Sequence, residues 1–96
     1  MQLNRPIIQQ FLTTQPVRRA YLFGSQARNE STSESDVDIL VELDDTADLF
    51  QFANMQLQLS KLLQMPVDLV SANGVSPYIR PFIEQDKILI YEKQDQ

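Results

Sequence analysis

Two short stretches hold the residues whose types and spacing could do chemistry. Gly24-Ser25 is followed, after ten intervening residues, by Asp36-Val37-Asp38, and a third aspartate lies in the apolar run Val67-Asp68-Leu69-Val70. Carboxylates at i and i+2 of a strand leave the same face with their Cα atoms about 6 to 7 Å apart. That separation suits ligands gripping a pair of cations roughly 4 Å apart. Mg²⁺ usually takes one or two protein carboxylates and fills its octahedron with phosphate oxygens and water, so Asp36 and Asp38 imply a polyphosphate partner. Gly24 lets the backbone approach a phosphate, and the N–H groups of a helix opening at Ser25 to Arg28 would face its oxygens. Ser25 adds a hydroxyl donor, and Arg28 offers a planar fork for the triphosphate tail.

The composition narrows the alternatives. Cysteine and histidine are both absent from the 96 residues, which excludes thiolate nucleophiles, zinc-thiolate sites and imidazole bases. Hard carboxylate oxygens select Mg²⁺ or Mn²⁺ over zinc. The net charge of −5 is unevenly spread: residues 1–28 carry +4, residues 29–50 carry −8, and the rest −1. So acidic a chain lacks the basic surface needed to grip long nucleic acid. The basic-then-acidic order fits phosphate contacts followed by metal ligands, with a solvated acidic rim as the plainer explanation. The length suits one domain over residues 1–96. No apolar stretch is long enough for a membrane span and the start does not read as a secretory signal, so a cytoplasmic location is expected.

The elements that must hold these residues follow from periodicity. Asn4 caps a short helix with Ile7, Ile8, Phe11 and Leu12 on one side and Pro6 in its first turn. Val17 to Phe23 alternates as a strand, with Ala20 and Leu22 opposed to Arg19, Tyr21 and Phe23. Asn29 to Ser35 reads as a loop. Asp36 to Leu43 is the clearest strand, with Val37, Ile39, Val41 and Leu43 on the buried face and Asp36, Asp38, Leu40 and Glu42 on the other. Asp45 or Thr46 is the expected cap of a helix to about Leu63, whose stripe Phe52, Met55, Leu59, Leu62 and Leu63 covers the sheet. Val67 to Val70 is a short strand, Ser76-Pro77 opens a helix broken at Pro81, and Lys87 to Glu92 is the last strand. The expected fold is α/β (α+β), a small mixed sheet flanked by helices. Phe23, Phe50, Phe52, Phe82 and Tyr91 are expected in the core.

On these residues the sequence resembles the nucleotidyltransferase superfamily related to DNA polymerase β, whose signature is Gly-Ser, a spacer and Asp-x-Asp. Leu22-Phe23-Gly24-Ser25-Gln26-Ala27-Arg28 with Ser35-Asp36-Val37-Asp38-Ile39-Leu40-Val41 looks like the minimal, single-domain branch. Asn29 departs from the glycine usual there, a mild change because asparagine tolerates the left-handed conformation. The resemblance implies that Asp36 and Asp38 bind two Mg²⁺ ions, that Asp68 binds one and helps deprotonate the attacking hydroxyl, and that Gly24 and Ser25 hold the β and γ phosphates of ATP. It further implies a helical HEPN toxin as partner, with this chain as an antitoxin that transfers AMP to a tyrosine of that toxin.

Other readings stand beside this one. Asp68 alone could be a solvated strand residue, and Arg28 could pair with Glu30 or Glu34 on the surface. Arg18 and Arg19 face opposite ways, so at most one enters a cleft, and Arg80 could reach a phosphate or a partner protein. The acceptor could be a small hydroxylated molecule of the aminoglycoside kind. A non-catalytic antitoxin that neutralises by binding is the third possibility.

Overall fold

Residues 3–28 and 36–94 are described in the computed structural model of the chain. Asn4 does cap the first helix, α1 (Arg5–Leu12): its Oδ1 accepts a hydrogen bond from the Ile7 amide at 3.2 Å, and Pro6 lies in the first turn. An amphipathic period then places Ile8 and Leu12 in the interior. The hydroxyls of Thr13 and Thr14 donate to the carbonyls of Gln10 and Phe11, closing the last turn before Pro16.

Four strands follow, β1 (Val17–Phe23), β2 (Val37–Leu43), β3 (Val67–Ser71) and β4 (Ile88–Glu92). They form one mixed sheet in the order β3-β2-β1-β4. β1 pairs antiparallel with both β2 and β4, while β2 and β3 run parallel. Alternation along β1 and β2 divides the sheet into two faces as the sequence predicts. Ala20, Leu22, Val37, Ile39 and Val41 are buried on one side. Arg19, Tyr21, Asp38, Leu40 and Glu42 share the other, because Tyr21 lies opposite Leu40 and Phe23 opposite Asp38.

Helix α2 (Leu49–Leu63) begins later than the sequence suggests. Asp48, not Asp45 or Thr46, is its cap: Asp48 Oδ1 accepts from the Gln51 amide at 2.7 Å and Gln51 Oε1 accepts from the Asp48 amide at 2.9 Å. This reciprocal capping box satisfies two amides at once. Thr46 is used upstream, where its amide and hydroxyl both donate to Asp44 Oδ1 in a tight turn. Met55 and Leu59 are fully buried and Phe52 and Leu63 pack against the core, but Leu62 is 39% exposed and lies at the margin of the stripe. The helix ends at Gln64, whose φ of 55° is the left-handed conformation common at helix ends. Two polar residues of α2 lie along the outer edge of β3: the Val67 amide donates to Ser60 Oγ and the Leu69 amide to Gln56 Oε1, each at 3.2 Å.

Ser76-Pro77 does not open the last helix. The Ser76 carbonyl accepts from the amides of Ile79 and Arg80, making a turn, and α3 (Arg80–Asp86) starts after it. Pro81 therefore falls in the first turn of α3, where its missing N–H costs no intrahelical bond. α3 crosses the second face of the sheet. At its beginning Arg80 donates to the Ala72 carbonyl beyond the end of β3, and at its end Asp86 reaches Arg28 beyond the end of β1. Ile83 of α3 and Leu40 of β2 are both buried outside the main core cluster, which α1, α2 and the sheet enclose.

The sheet is thus flanked on both sides by helices, as expected. The aromatic residues divide: Phe52 and Tyr91 pack on the core, whereas Phe50 is 86% and Phe82 67% exposed. Both are corrections to the sequence reading. Phe50 lies two positions before Phe52, about 200° around α2 from the buried stripe, and Phe82 lies outward of the buried Ile83 side of α3.

Candidate active site

The strand directions bring the candidate residues to one end of the sheet. Asp38 and Asp68 are each the second residue of their strand, and because β2 and β3 are parallel and in register, Asp38 lies directly beside Asp68. Neighbouring strands are about 4.8 Å apart, so the two carboxylates leave adjacent positions on one face. Asp36 stands one residue before β2, whose first amide, that of Val37, donates to the Pro66 carbonyl at 2.9 Å. β1 runs the opposite way and ends at Phe23, which lies across from Asp38. Gly24 therefore emerges next to that same carboxylate.

The contact between Gly24 and Asp38 is closer than motif spacing alone reveals. Gly24 has φ +73°, and a Cβ built on it would overlap Asp38 Oδ2 and stand 3.2 Å from Asp38 Cγ. An L side chain is disfavoured twice, by backbone conformation and by lack of room. The sequence explains this glycine by approach to a phosphate; the structure adds a nearer reason, space for the carboxylate.

Ser25 belongs to a single 3₁₀ turn, Gly24–Gln26, and not to a longer helix. The amides of Ala27 and Arg28 both donate to the Gly24 carbonyl, at 3.1 and 3.2 Å. The turn itself leaves the amides of Ser25 and Gln26 without an intrahelical acceptor, fewer donors than the four of a full helix start. Arg28 is exposed and bonds through Nη1 to Asp86 Oδ2 at the end of α3. Glu30 and Glu34, the partners weighed for it from sequence, lie outside the described residues, as does the loop Asn29 to Ser35.

Electrostatically the cluster is loaded in one direction. Burial pushes the Asp38 carboxyl above its ordinary range, and the charges of Asp68 and then Asp36 push the same way, opposed by the Arg28 guanidinium. Asp36 and Asp68 are exposed while Asp38 is half-buried. A half-buried carboxylate between two others is relieved by protonation or by a cation. Among the described residues no three acidic groups close up enough to cage a metal by themselves. That is compatible with Mg²⁺, which leaves most of its shell to water and phosphate oxygens. The all-oxygen donor set fits a hard cation.

The other arginines lie elsewhere. Arg18 reaches Asp45, and Arg19 bridges Glu42 and Glu92 across the far end of the sheet, with Tyr21 donating to the same Glu42. Arg80 is at the opposite end of α3 from Arg28. Asp86 is the residue that the sequence reading missed; its only signal is an acid in the last position of a helix, where the dipole disfavours it.

Comparison with known proteins agrees with this fold. The family model described as polymerase β, nucleotidyltransferase, matches residues 6–96. A Methanocaldococcus jannaschii protein, MJ0128, provisionally named a protein adenylyltransferase, is 45% identical over 75 residues, which are 77% of this chain and 76% of the relative. The crystal structure of a toxin-antitoxin with AMP-PNP contains a chain that superposes with a TM-score of 0.83 at 26% identity, over 96% of this chain and 76% of that one. A chain in the complex of tri-AMPylated Shewanella oneidensis HEPN toxin with MNT antitoxin gives a TM-score of 0.73 at 25% identity, over 95% and 71%. No helix among the described residues is long and apolar enough to cross a membrane. Fold, site and relatives of this similarity leave one assignment: the chain belongs to the polymerase β nucleotidyltransferase family.

Proposed function

We propose that this protein is an antitoxin that transfers AMP from ATP to a tyrosine hydroxyl of a HEPN-type ribonuclease toxin. The observation that carries the chemistry is the in-register pair Asp38 and Asp68 on parallel strands, with Gly24 packed against Asp38. The partner is inferred from the solved complexes of similar chains with HEPN toxins, one of which is AMPylated.

Asp36, Asp38 and Asp68 would hold Mg²⁺, two ions in the family pattern, which would supply charge neutralisation and alignment for in-line attack at the α-phosphorus with pyrophosphate leaving. The residues of the chain have distinct tasks in that reaction. Ser25 and the amides that open the Gly24–Gln26 turn would receive the β and γ phosphates, with the Arg28 guanidinium offered to the same charge. Asp68, exposed on the edge strand, would take the proton of the incoming hydroxyl. Asp36 and Asp38 carry no proton in the reaction; they keep the donor in line, and positioning of this kind supplies much of the rate in phosphoryl transfer.

The test is to mix the purified chain with its HEPN partner, ATP and Mg²⁺ and to follow the mass of both proteins. Gain of one or more AMP units on a tyrosine of the partner is the expected result, abolished in D36N/D38N. Transfer to a small hydroxylated molecule and to neither protein would move the acceptor assignment to that class. Neutralisation of the toxin by D36N/D38N at wild-type strength would mean that the protein acts by binding alone.

A further inference from the structure

We propose that Asp86 is a positioning residue for the triphosphate, acting through Arg28. The proposal rests on the reading that this end of the sheet binds a magnesium nucleoside triphosphate. Arg28 donates its amide to the carbonyl of Gly24, the residue packed against Asp38, and its Nη1 bonds to Asp86 Oδ2. Asp86 is the more enclosed member of its pair, with a side chain 19% exposed against 44% for Arg28.

Asp86 is also held firmly. The next residue, Lys87, donates its amide to the Ile83 carbonyl at 2.8 Å, bonds Glu84 through Nζ at 2.9 Å and places that nitrogen 4.5 Å above the Tyr21 ring. The elbow between α3 and β4 is thereby tied to β1. A carboxylate in the last position of a helix opposes the helix dipole, so local physics disfavours Asp86 and a partner must offset it. Rules broken locally tend to mark sites under another constraint.

The constraint follows from the charges. A guanidinium that follows the turn packed on Asp38 would otherwise be drawn to that carboxylate and block a metal ligand. Asp86 competes for it from the side of α3. The bond holds one edge of the guanidinium on the side of α3, and a set orientation of the planar group is what recognition of phosphate oxygens requires.

The experiment is calorimetric titration of the full chain with AMP-PNP and with AMP, both in Mg²⁺, for wild type, D86N, D86E, R28A and R28A/D86N, with thermal melts of each. D86N should weaken AMP-PNP about tenfold, the loss of one hydrogen bond between charged groups. It should leave AMP within about twofold, since AMP lacks the phosphates concerned, and add nothing in the R28A background. D86E, which keeps the charge, should recover most of the AMP-PNP affinity and guards against a D86N chain that fails to fold. Equal losses for AMP and AMP-PNP, a D86N effect that persists without Arg28, or wild-type affinity in D86N would each overturn the proposal. R28A with unchanged AMP-PNP affinity would overturn it as well. Wild-type protein that binds no Mg·AMP-PNP at all would overturn the nucleotide reading of the site itself, and the proposal with it.

Discussion

Replacing Gly24 by alanine separates the folding role of this residue from its role at the site. The backbone there has φ +73°, where an L residue costs about 1 to 2 kcal/mol relative to glycine. The new methyl would also overlap Asp38 Oδ2. That oxygen is the end of a side chain able to rotate, so relief comes by moving the carboxylate and not by unpacking the sheet. The stability loss should stay near the backbone cost, lowering Tm by about 5 to 15 °C for a domain of this size. The effect on transfer should be far larger, because a displacement of about 1 Å in a positioned group costs roughly 100-fold in rate. The assay is the initial rate of AMP transfer to the partner at saturating ATP, run at least 15 °C below the variant's melting temperature so that the unfolded fraction is negligible, about 15 °C being the larger Tm loss expected. A variant within about threefold of wild type would refute the claim that Gly24 makes room for Asp38, since a carboxylate moved by a methyl group should not retain that rate. Equal fractional losses in rate and in folded protein would refute it too.

Asp38→Asn should raise Tm of the metal-free protein at pH 7, because it removes like charge from a half-buried position. The folded carboxyl has a raised pKa, so its penalty is present at high pH and is relieved as pH falls through that folded value; the advantage of the asparagine variant should therefore shrink toward pH 4. Added Mg²⁺ with AMP-PNP should stabilise wild type and not this variant, as thermal melts would show. Asp48→Ala removes the capping box of α2 and should cost about 1 kcal/mol by urea unfolding while leaving AMP-PNP affinity unchanged. Leu59→Ala, at a fully buried position, should cost about 2 to 5 kcal/mol in the same measurement.

The parts of the molecule legible in the sequence are those governed by short periods. Alternation of two located β1 and β2 and assigned Asp38 to the face away from Val37 and Ile39, since a strand leaves a side chain only two directions. Asp68 could be given a strand but not a neighbour: that it lies beside Asp38 is a matter of parallel register, set by α2 and the sheet together. The α2 cap was ambiguous because Asp44, Asp45, Thr46 and Asp48 are all capping residues, and the choice fell to the one with Gln51 three positions on. The exposed Phe50 and Phe82 show the same limit, for hydrophobicity gives a preference and only the helix phase decides the side. Arg28 and Asp86 are 58 residues apart in the chain, and no local pattern announces such a pair.

The hydrogen bonds from β3 to Gln56 and Ser60 have a consequence for how this protein meets others. β3 is an outermost strand and carries Asp68, so under the proposed function the acceptor protein would approach next to a row of backbone groups able to recruit an extended chain. Two side chains of α2 occupy the outward amides of Val67 and Leu69. An approaching polypeptide finds these two donors already taken and has less of a ladder to join. Under the proposed function, selection at this edge would fall to the hydroxyl that is presented more than to backbone pairing.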